Sequence, residues 1–333
     1  MRWPALLIAA LTISSPIVAA VPGHLLTPFK RIGVGWRDNL WKEKKWGWMS
    51  FVAFSPSGAQ IASDGATSPD DVSGDLAVWN FATGKLLKRL PGSPAVISSQ
   101  WHYYATQHDV RSMKSGAVIL PGKGYLVQAF SPNERYVVRS SAGTGTQIFD
   151  LQSRHLVRTL GTHSAFALTF SPNGRRIAAG YWDSVGLWDS RTGVLTTMLR
   201  GVGRYVDGVS YSPSGKLLAV GTDLGGLQLW DVNRHKRIYS VSLPGGAVSV
   251  PAFSSNGGLV AIGVYGTGAV WVIDVHSGKI IDHQQVSDLG CGSAAFSPDD
   301  RFLITPSTGG LITWPYDKGG TTRVFRVAST GAR

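Results

Sequence analysis

A short phrase, an aromatic residue followed by Ser-Pro and a turn, recurs along the chain. It reads Phe54-Ser-Pro-Ser-Gly58, Phe130-Ser-Pro-Asn-Glu134, Phe170-Ser-Pro-Asn-Gly174, Tyr211-Ser-Pro-Ser-Gly215, Phe253-Ser-Ser-Asn-Gly257 and Phe296-Ser-Pro-Asp-Asp300. The last four intervals between the aromatic residues are 40, 41, 42 and 43. The first, from Phe54 to Phe130, is 76, close to two periods. One repeat has therefore lost the phrase, and the period implies seven repeats.

Each phrase has the chemistry of a strand running into a hairpin turn. Pro presets φ at the first corner, and Asn, Asp or Gly tolerate the tight positions that follow. Short apolar runs come next, such as Arg176-Ile-Ala-Ala179, Leu217-Leu-Ala-Val220 and Leu259-Val-Ala-Ile262, as expected of buried strands. A third strand closes at Trp79-Asn80, Phe149-Asp150, Trp188-Asp189, Trp230-Asp231, Ile273-Asp274 and Trp314-Pro315. Turns such as Thr83-Gly84, Thr192-Gly193 and Ser277-Gly278 lead into a fourth. Four strands per period make a propeller blade. The composition agrees: of 333 residues only 16% are charged, while Gly numbers 41 and Trp 12, which favours short strands and tight turns over long amphipathic helices. With 43% apolar residues and a mean hydropathy of +0.04, the chain has enough apolar material for a large core.

Over roughly residues 50–320 the chain resembles the WD-repeat family, named for its Trp-Asp dipeptide. The full pair stands at Trp188-Asp189 and Trp230-Asp231, and the family's Gly-His pair is replaced by Gly161-Thr-His163 in one repeat. The resemblance implies an all-β fold, a seven-bladed β-propeller of four-stranded antiparallel blades. It also implies that His163, Asp183 and Trp188 form the hydrogen-bond chain that braces a blade in this family.

The repeat without the phrase falls between Pro94 and Leu120, where residues 95–97, 101–105 and 109–113 can serve as short strands before Ser115-Gly116. Two closures of the ring are open: residues 323–327 supply the last outer strand, or residues 28–34 supply it from the other end. Pairing between the termini is favoured because it removes open sheet edges. The expected division is a leader over 1–20, a Trp-rich segment over 21–49, the propeller over 50–328 and a tail over 329–333.

Residues 1–20 read as a cleaved export signal: Arg2, an apolar run over 5–13, then Ser14-Ser15-Pro16 and the small-residue end Val18-Ala19-Ala20. The stretch is short for a membrane span and Pro16 interrupts it. After cleavage no transmembrane anchor is expected, and the protein is expected to be exported, to the periplasm or the extracellular space. Cys291 is the single cysteine, so no disulfide can form within the chain, and its apolar setting suggests a small buried residue. The formal charge of +12 becomes +11 once Arg2 leaves. Such a charge steers the protein toward anionic partners, an acidic protein surface or an anionic polysaccharide, without any pattern for sequence-specific nucleic-acid recognition.

Catalytic spacing is lacking: there is no His-Glu-x-x-His, no Gly-x-Ser-x-Gly and no paired Cys motif. The other histidines are scattered over different repeats, so no metal or cofactor is expected. Residues 208–217 superficially suggest a phosphate loop, but the spacing to Gly215-Lys216 is too long, and they read as a blade turn. The loop over 64–75 carries Asp64, Asp70, Asp71 and Asp75 without the ligand order of known calcium loops. Trp36, Trp41, Trp46 and Trp48 stand among charged residues, either as stacking platforms or as a cover on a propeller face.

In a propeller, the loops between strands two and three and those leading to the next blade gather on one face around the central channel. That rule places Trp182, Asp183, Arg204, Tyr205, Asp223, Tyr265 and His163 on a candidate binding face, a set with the aromatic and Arg content of interface hot spots. The family resemblance implies a non-catalytic protein-interaction scaffold. The competing expectation is a propeller that binds or processes an anionic envelope polysaccharide at the channel mouth.

Overall fold

The computed structural model describes residues 25–32, 51–64, 75–122, 125–287, 290–307 and 321–328. These form seven antiparallel sheets of four strands each, with no helix among the described residues. Blades 1 to 6 span residues 52–90, 96–121, 125–159, 167–200, 206–242 and 252–285. Blade 7 takes three strands from 295–327 and its outermost strand, Leu26–Ile32, from the opposite end of the described chain. First strands of neighbouring blades contact one another from blade 2 through blade 7 and on to blade 1, and so line the axis. The expected all-β propeller is the observed fold.

The recurring phrase persists because its serine builds the hairpin between the first and second strands. Ser55 Oγ accepts the Gln60 N–H at 3.0 Å, and the same bond, from the residue five further on, is made by Ser131, Ser171, Ser212, Ser254 and Ser297. Blade 2 makes it as well. Ser98 Oγ accepts the Tyr103 N–H at 2.9 Å, and Trp101 occupies, at φ 63°, the left-handed corner that Gly58 holds in blade 1. The second repeat has therefore lost Pro and Gly but kept the serine and the backbone of the turn. A second device holds the outer hairpin: the Asp that ends a third strand accepts N–H groups of its own turn, as Asp189 does from Thr192 at 2.6 Å and Asp274 from Ser277 at 2.7 Å.

Apolar residues on facing sheets interdigitate at the seams. Seven clusters of buried side chains result, for example Ala178, Val185 and Leu187 of blade 4 against Val209, Leu218 and Val220 of blade 5. Leu26 and Leu25 complete the cluster between blades 6 and 7. Of the two closures left open by the sequence, the structure takes the second. Residues 321–327 are the third strand of blade 7, with Phe325 opposite Leu303 as Trp79 is opposite Ile61, so the ending read at Trp314-Pro315 is corrected. Trp314 itself lies outside the described residues, as do the leader, the Trp36 to Trp48 segment, residues 65–74 and the tail over 329–333.

Candidate interaction face

Antiparallel order places the loops between strands two and three, and those entering the next blade, at one end of every sheet. On this loop face, blades 4 to 6 carry most of the predicted residues. Trp182 and Asp183 lie between strands two and three of blade 4, Arg204 and Tyr205 on the link to blade 5, Asp223 in blade 5 and Tyr265 in blade 6. Trp182, Asp223 and Tyr265 each stand twelve residues after the aromatic of their own phrase, Phe170, Tyr211 and Phe253.

Backbone bonds sew these loops together. The Tyr205 N–H donates to the Trp182 carbonyl at 2.5 Å, and the Asp223 N–H donates to the Tyr205 carbonyl at 3.1 Å. Tyr205 adopts φ 52°, which lets its ring drop between two others. It lies 4.9 Å from Trp182, edge to face, and 4.4 Å from Phe166. The Arg204 guanidinium covers the Trp182 indole at 5.5 Å from the ring centre. Four predicted residues, Trp182, Arg204, Tyr205 and Asp223, thus form one assembly. Trp182 is 50% exposed, Leu224 (68%) and Tyr265 (40%) are exposed in the corresponding loops of blades 5 and 6, and Val250 (51%) is exposed at the entry to the first strand of blade 6. Phe166, Leu224 and Val250 were not singled out in the sequence.

Toward the axis sits a pair of carboxylates. Burial, then the charge of Asp223, pushes the Asp207 carboxyl up to about 6, opposed by a hydrogen bond from the Val248 N–H. Asp207 Oδ2 and Asp223 Oδ1 are buried without hydrogen-bond partners. The Tyr265 hydroxyl, raised first by burial and then by the charges of Cys291, Asp207 and Asp64, joins this group and donates to the Gly292 carbonyl at 3.4 Å. Asp207 stands four residues before Tyr211, as Phe166 stands four before Phe170, a register that the repeats would have revealed.

His163 and Asp183 share the face but stand exposed, and neither makes the expected brace to Trp188. The indole Nε1 of Trp188 is buried with no hydrogen-bond partner, although the Tyr181 hydroxyl lies near it. The cause is local. In blade 1 the Trp79 Nε1 donates to Ser63 Oγ at 3.1 Å, whereas the matching position of blade 4 is Ala179. The ring instead packs over Gly161. Blade 5 uses another acceptor, Gln228 Oε1 at 3.0 Å from Trp230 Nε1.

Elsewhere, Asp64 and Asp75, at the ends of the acidic loop, are tied to backbone. Asp64 accepts the Phe51 N–H at 2.8 Å and Asp75 the Gly92 N–H at 3.0 Å. Cys291 is fully buried, its thiol pushed up to about 12 by burial, with Thr305 Oγ1 at 2.8 Å. Among the described residues no three His, Cys, Asp or Glu side chains converge as metal ligands would.

The outer architecture has counterparts in known proteins. A family model for the WD domain, G-beta repeat, matches residues 154–189, and one for the WD40 domain of anaphase-promoting complex subunit 4 matches residues 209–290. This chain belongs to the WD-repeat β-propellers. The WD-repeat chain is 29% identical over 172 residues to the small ribosomal subunit protein RACK1y of Oryza sativa subsp. japonica, covering 49% of this chain and 47% of that one. It is 32% identical over 151 residues to cross-pathway control WD-repeat protein 2 of Flammulina velutipes, 42% and 47% of the respective chains. It is also 25% identical over 295 residues to telomerase protein component 1 of Rattus norvegicus, 84% of this chain but 10% of that one. This WD-repeat chain thus spans about half, or less, of the length of these curated relatives.

Proposed function

We propose that the protein is a non-catalytic protein-interaction scaffold that engages a protein partner through the loop face of blades 4 to 6. The observation that carries this reading is the packed assembly of Trp182, Arg204, Tyr205 and Phe166 on the loop face, with Trp182 half exposed and Leu224 and Tyr265 exposed in the corresponding loops of blades 5 and 6. Exposed apolar and aromatic side chains gathered in the loops of one face are surface that a partner covers. The titratable groups beside it are a like-charged pair, Asp207 and Asp223, with His163 apart from them, an arrangement suited to recognition. Likeness to relatives named as ribosomal and WD-repeat proteins supports the same reading. We place its action outside the cytoplasm, supported by the export pattern of residues 1–20.

The test is capture by crosslinking in the native cell envelope, comparing wild type with a Trp182→Ala/Arg204→Ala/Tyr205→Ala variant that melts normally. Enrichment of one protein by wild type and its loss with the variant supports the face. Unchanged capture rejects it, and recovery of polysaccharide alone replaces the protein partner with an anionic polymer. Mass analysis of the mature chain checks export: a first residue of Val21 is the expected result.

A further inference from the structure

Among the described residues of blades 3 to 5, positive charge does not gather on the loop face. Their described connections on that face carry one base, Arg204, against Asp183 and Asp223. At the opposite end of the same sheets, each of the six hairpin turns carries a base: Arg135, Arg154, Arg175, Arg191, Lys216 and Arg234. Two of these are neutralised locally, Arg135 by Asp150 at 2.9 Å and Arg234 by Asp231 at 3.0 Å. These three blades are electrically two-sided.

At the seam of blades 3 and 4 this turn face opens into a cleft of about 850 Å³. Arg175 and Arg191 come from the two turns of blade 4, and Arg158 from the fourth strand of blade 3. The acid that shares the cleft, Asp189, is committed to its own turn. Its carboxylate accepts the Thr192 N–H and hydroxyl at 2.6 and 2.8 Å, and those bonds hold it below the usual carboxylate range. Three guanidiniums therefore face one carboxylate, whose Oδ1 is held by its own turn and whose charge is also felt by Arg191. The rest of the lining mixes apolar side chains, Tyr136, Val157 (42% exposed) and the edges of Ile148 and Phe170, with the small polar groups of Asn133, Asn173 and Ser190. A volume in the range of ligand sites, whose lining combines three planar cation forks with apolar side chains, suits a carboxylate-bearing chain with an apolar side chain next to it.

We propose that this cleft is a second docking site, separate from the loop face, and that its occupant is an acidic polypeptide segment bearing an apolar anchor. Carboxylates pair with Arg158, Arg175 and Arg191 while the anchor lies on Val157 and Phe170. The surrounding turn-face bases steer such a segment in, an attraction that falls as salt rises. The proposal is independent of what the loop face binds.

The probe is a fluorescent peptide repeating Glu-Glu-Leu, titrated into the full chain by anisotropy. Arg158→Gln/Arg175→Gln/Arg191→Gln should weaken binding about tenfold, the sum of three exposed charge pairs. A control that removes the same charge elsewhere on this face, Lys85→Gln/Lys114→Gln/Lys279→Gln, should change affinity less than about twofold, because those bases lie outside the cleft and act only through screened long-range attraction. Val157→Glu should weaken binding without removing any base. Equal losses in the two triple variants would reduce the effect to net charge and overturn the site. Unchanged affinity in the cleft variant, with a normal melt, overturns it as well, and so does binding of dextran sulfate when the peptide does not bind.

Discussion

Leu26 pairs with Val327 across the closing blade, at opposite ends of the described chain, and the Leu26 N–H also donates to Asp282 Oδ2 of blade 6 at 2.6 Å. The Leu26 side chain is 1% exposed, packed with Leu259, Phe325 and Cys291. One residue thus joins two blades and both ends of the described chain. Leu26→Ala should cost about 3 kcal/mol of stability, the usual range for a truncated buried leucine. Thermal unfolding would show a clear drop in midpoint. A change no larger than that of an exposed substitution such as Lys236→Ala would mean that the ring holds without this strand.

Arg139 is the largest fully buried side chain and ties blade 3 to the trimmed second blade. Its Nε donates to Gln128 Oε1 at 2.9 Å, and its other nitrogens donate to the carbonyls of Pro121 and Leu120 at 3.1 and 3.2 Å. Arg139→Met keeps most of the volume but strands these acceptors, at a cost of about 3 kcal/mol in total. Urea midpoints for Arg139→Met, Gln128→Met and the double variant should be non-additive, since both side chains serve one network. Additive losses would show that the two act separately.

Much of this was legible because the repeat sets a common register, and each position in it has a fixed place on the blade. The serine of the phrase is visible in six blades, and the seventh, Ser98, escaped notice only because Pro and Gly around it are gone. The third strand of blade 7 was misread because Trp314 imitates its ending, while strand pairing gives that place to Phe325. Trp182, Asp223 and Tyr265 were readable as loop-face residues since they occupy one repeat position. Asp207 stands at a repeat position just as regular, but its meaning depends on Asp223 arriving from another loop. The basic turn face was hidden in a net charge that carries no direction.

Trp188 lacks the partner that Trp79 has, and the difference traces to Ala179 standing where blade 1 has Ser63. In both blades the position lies opposite a small residue of the third strand, Gly186 or Ala77, so a hydroxyl introduced there faces the indole edge. Ala179→Ser should stabilise the protein by about 1 kcal/mol by satisfying Nε1, and Ser63→Ala should destabilise it by a similar amount. Chemical denaturation of both variants checks the pair. A loss of stability in Ala179→Ser would show that the buried hydroxyl costs more than the indole bond returns.

Asp207 makes stability depend on pH in a direction opposite to that of the turn-capping aspartates. Its folded carboxyl titrates at about 6, above the ordinary 3.8, because burial and the neighbouring Asp223 disfavour its charge. The native state therefore holds this proton more tightly than the unfolded chain does. Its stabilising contribution is complete below about pH 4 and is lost as the pH rises through about 6, leaving an ionised carboxylate whose Oδ2 has no partner. Asp207→Asn presents a neutral group of the same shape at every pH. Relative to wild type it should leave the melting midpoint nearly unchanged at pH 4 and raise it at pH 7.5, with the difference growing between those values. Asp223→Asn, by removing the second charge, should move the wild-type titration to lower pH. An advantage of Asp207→Asn that is equal at both pH values would assign the effect to packing instead of protonation and would sink the account of this pair.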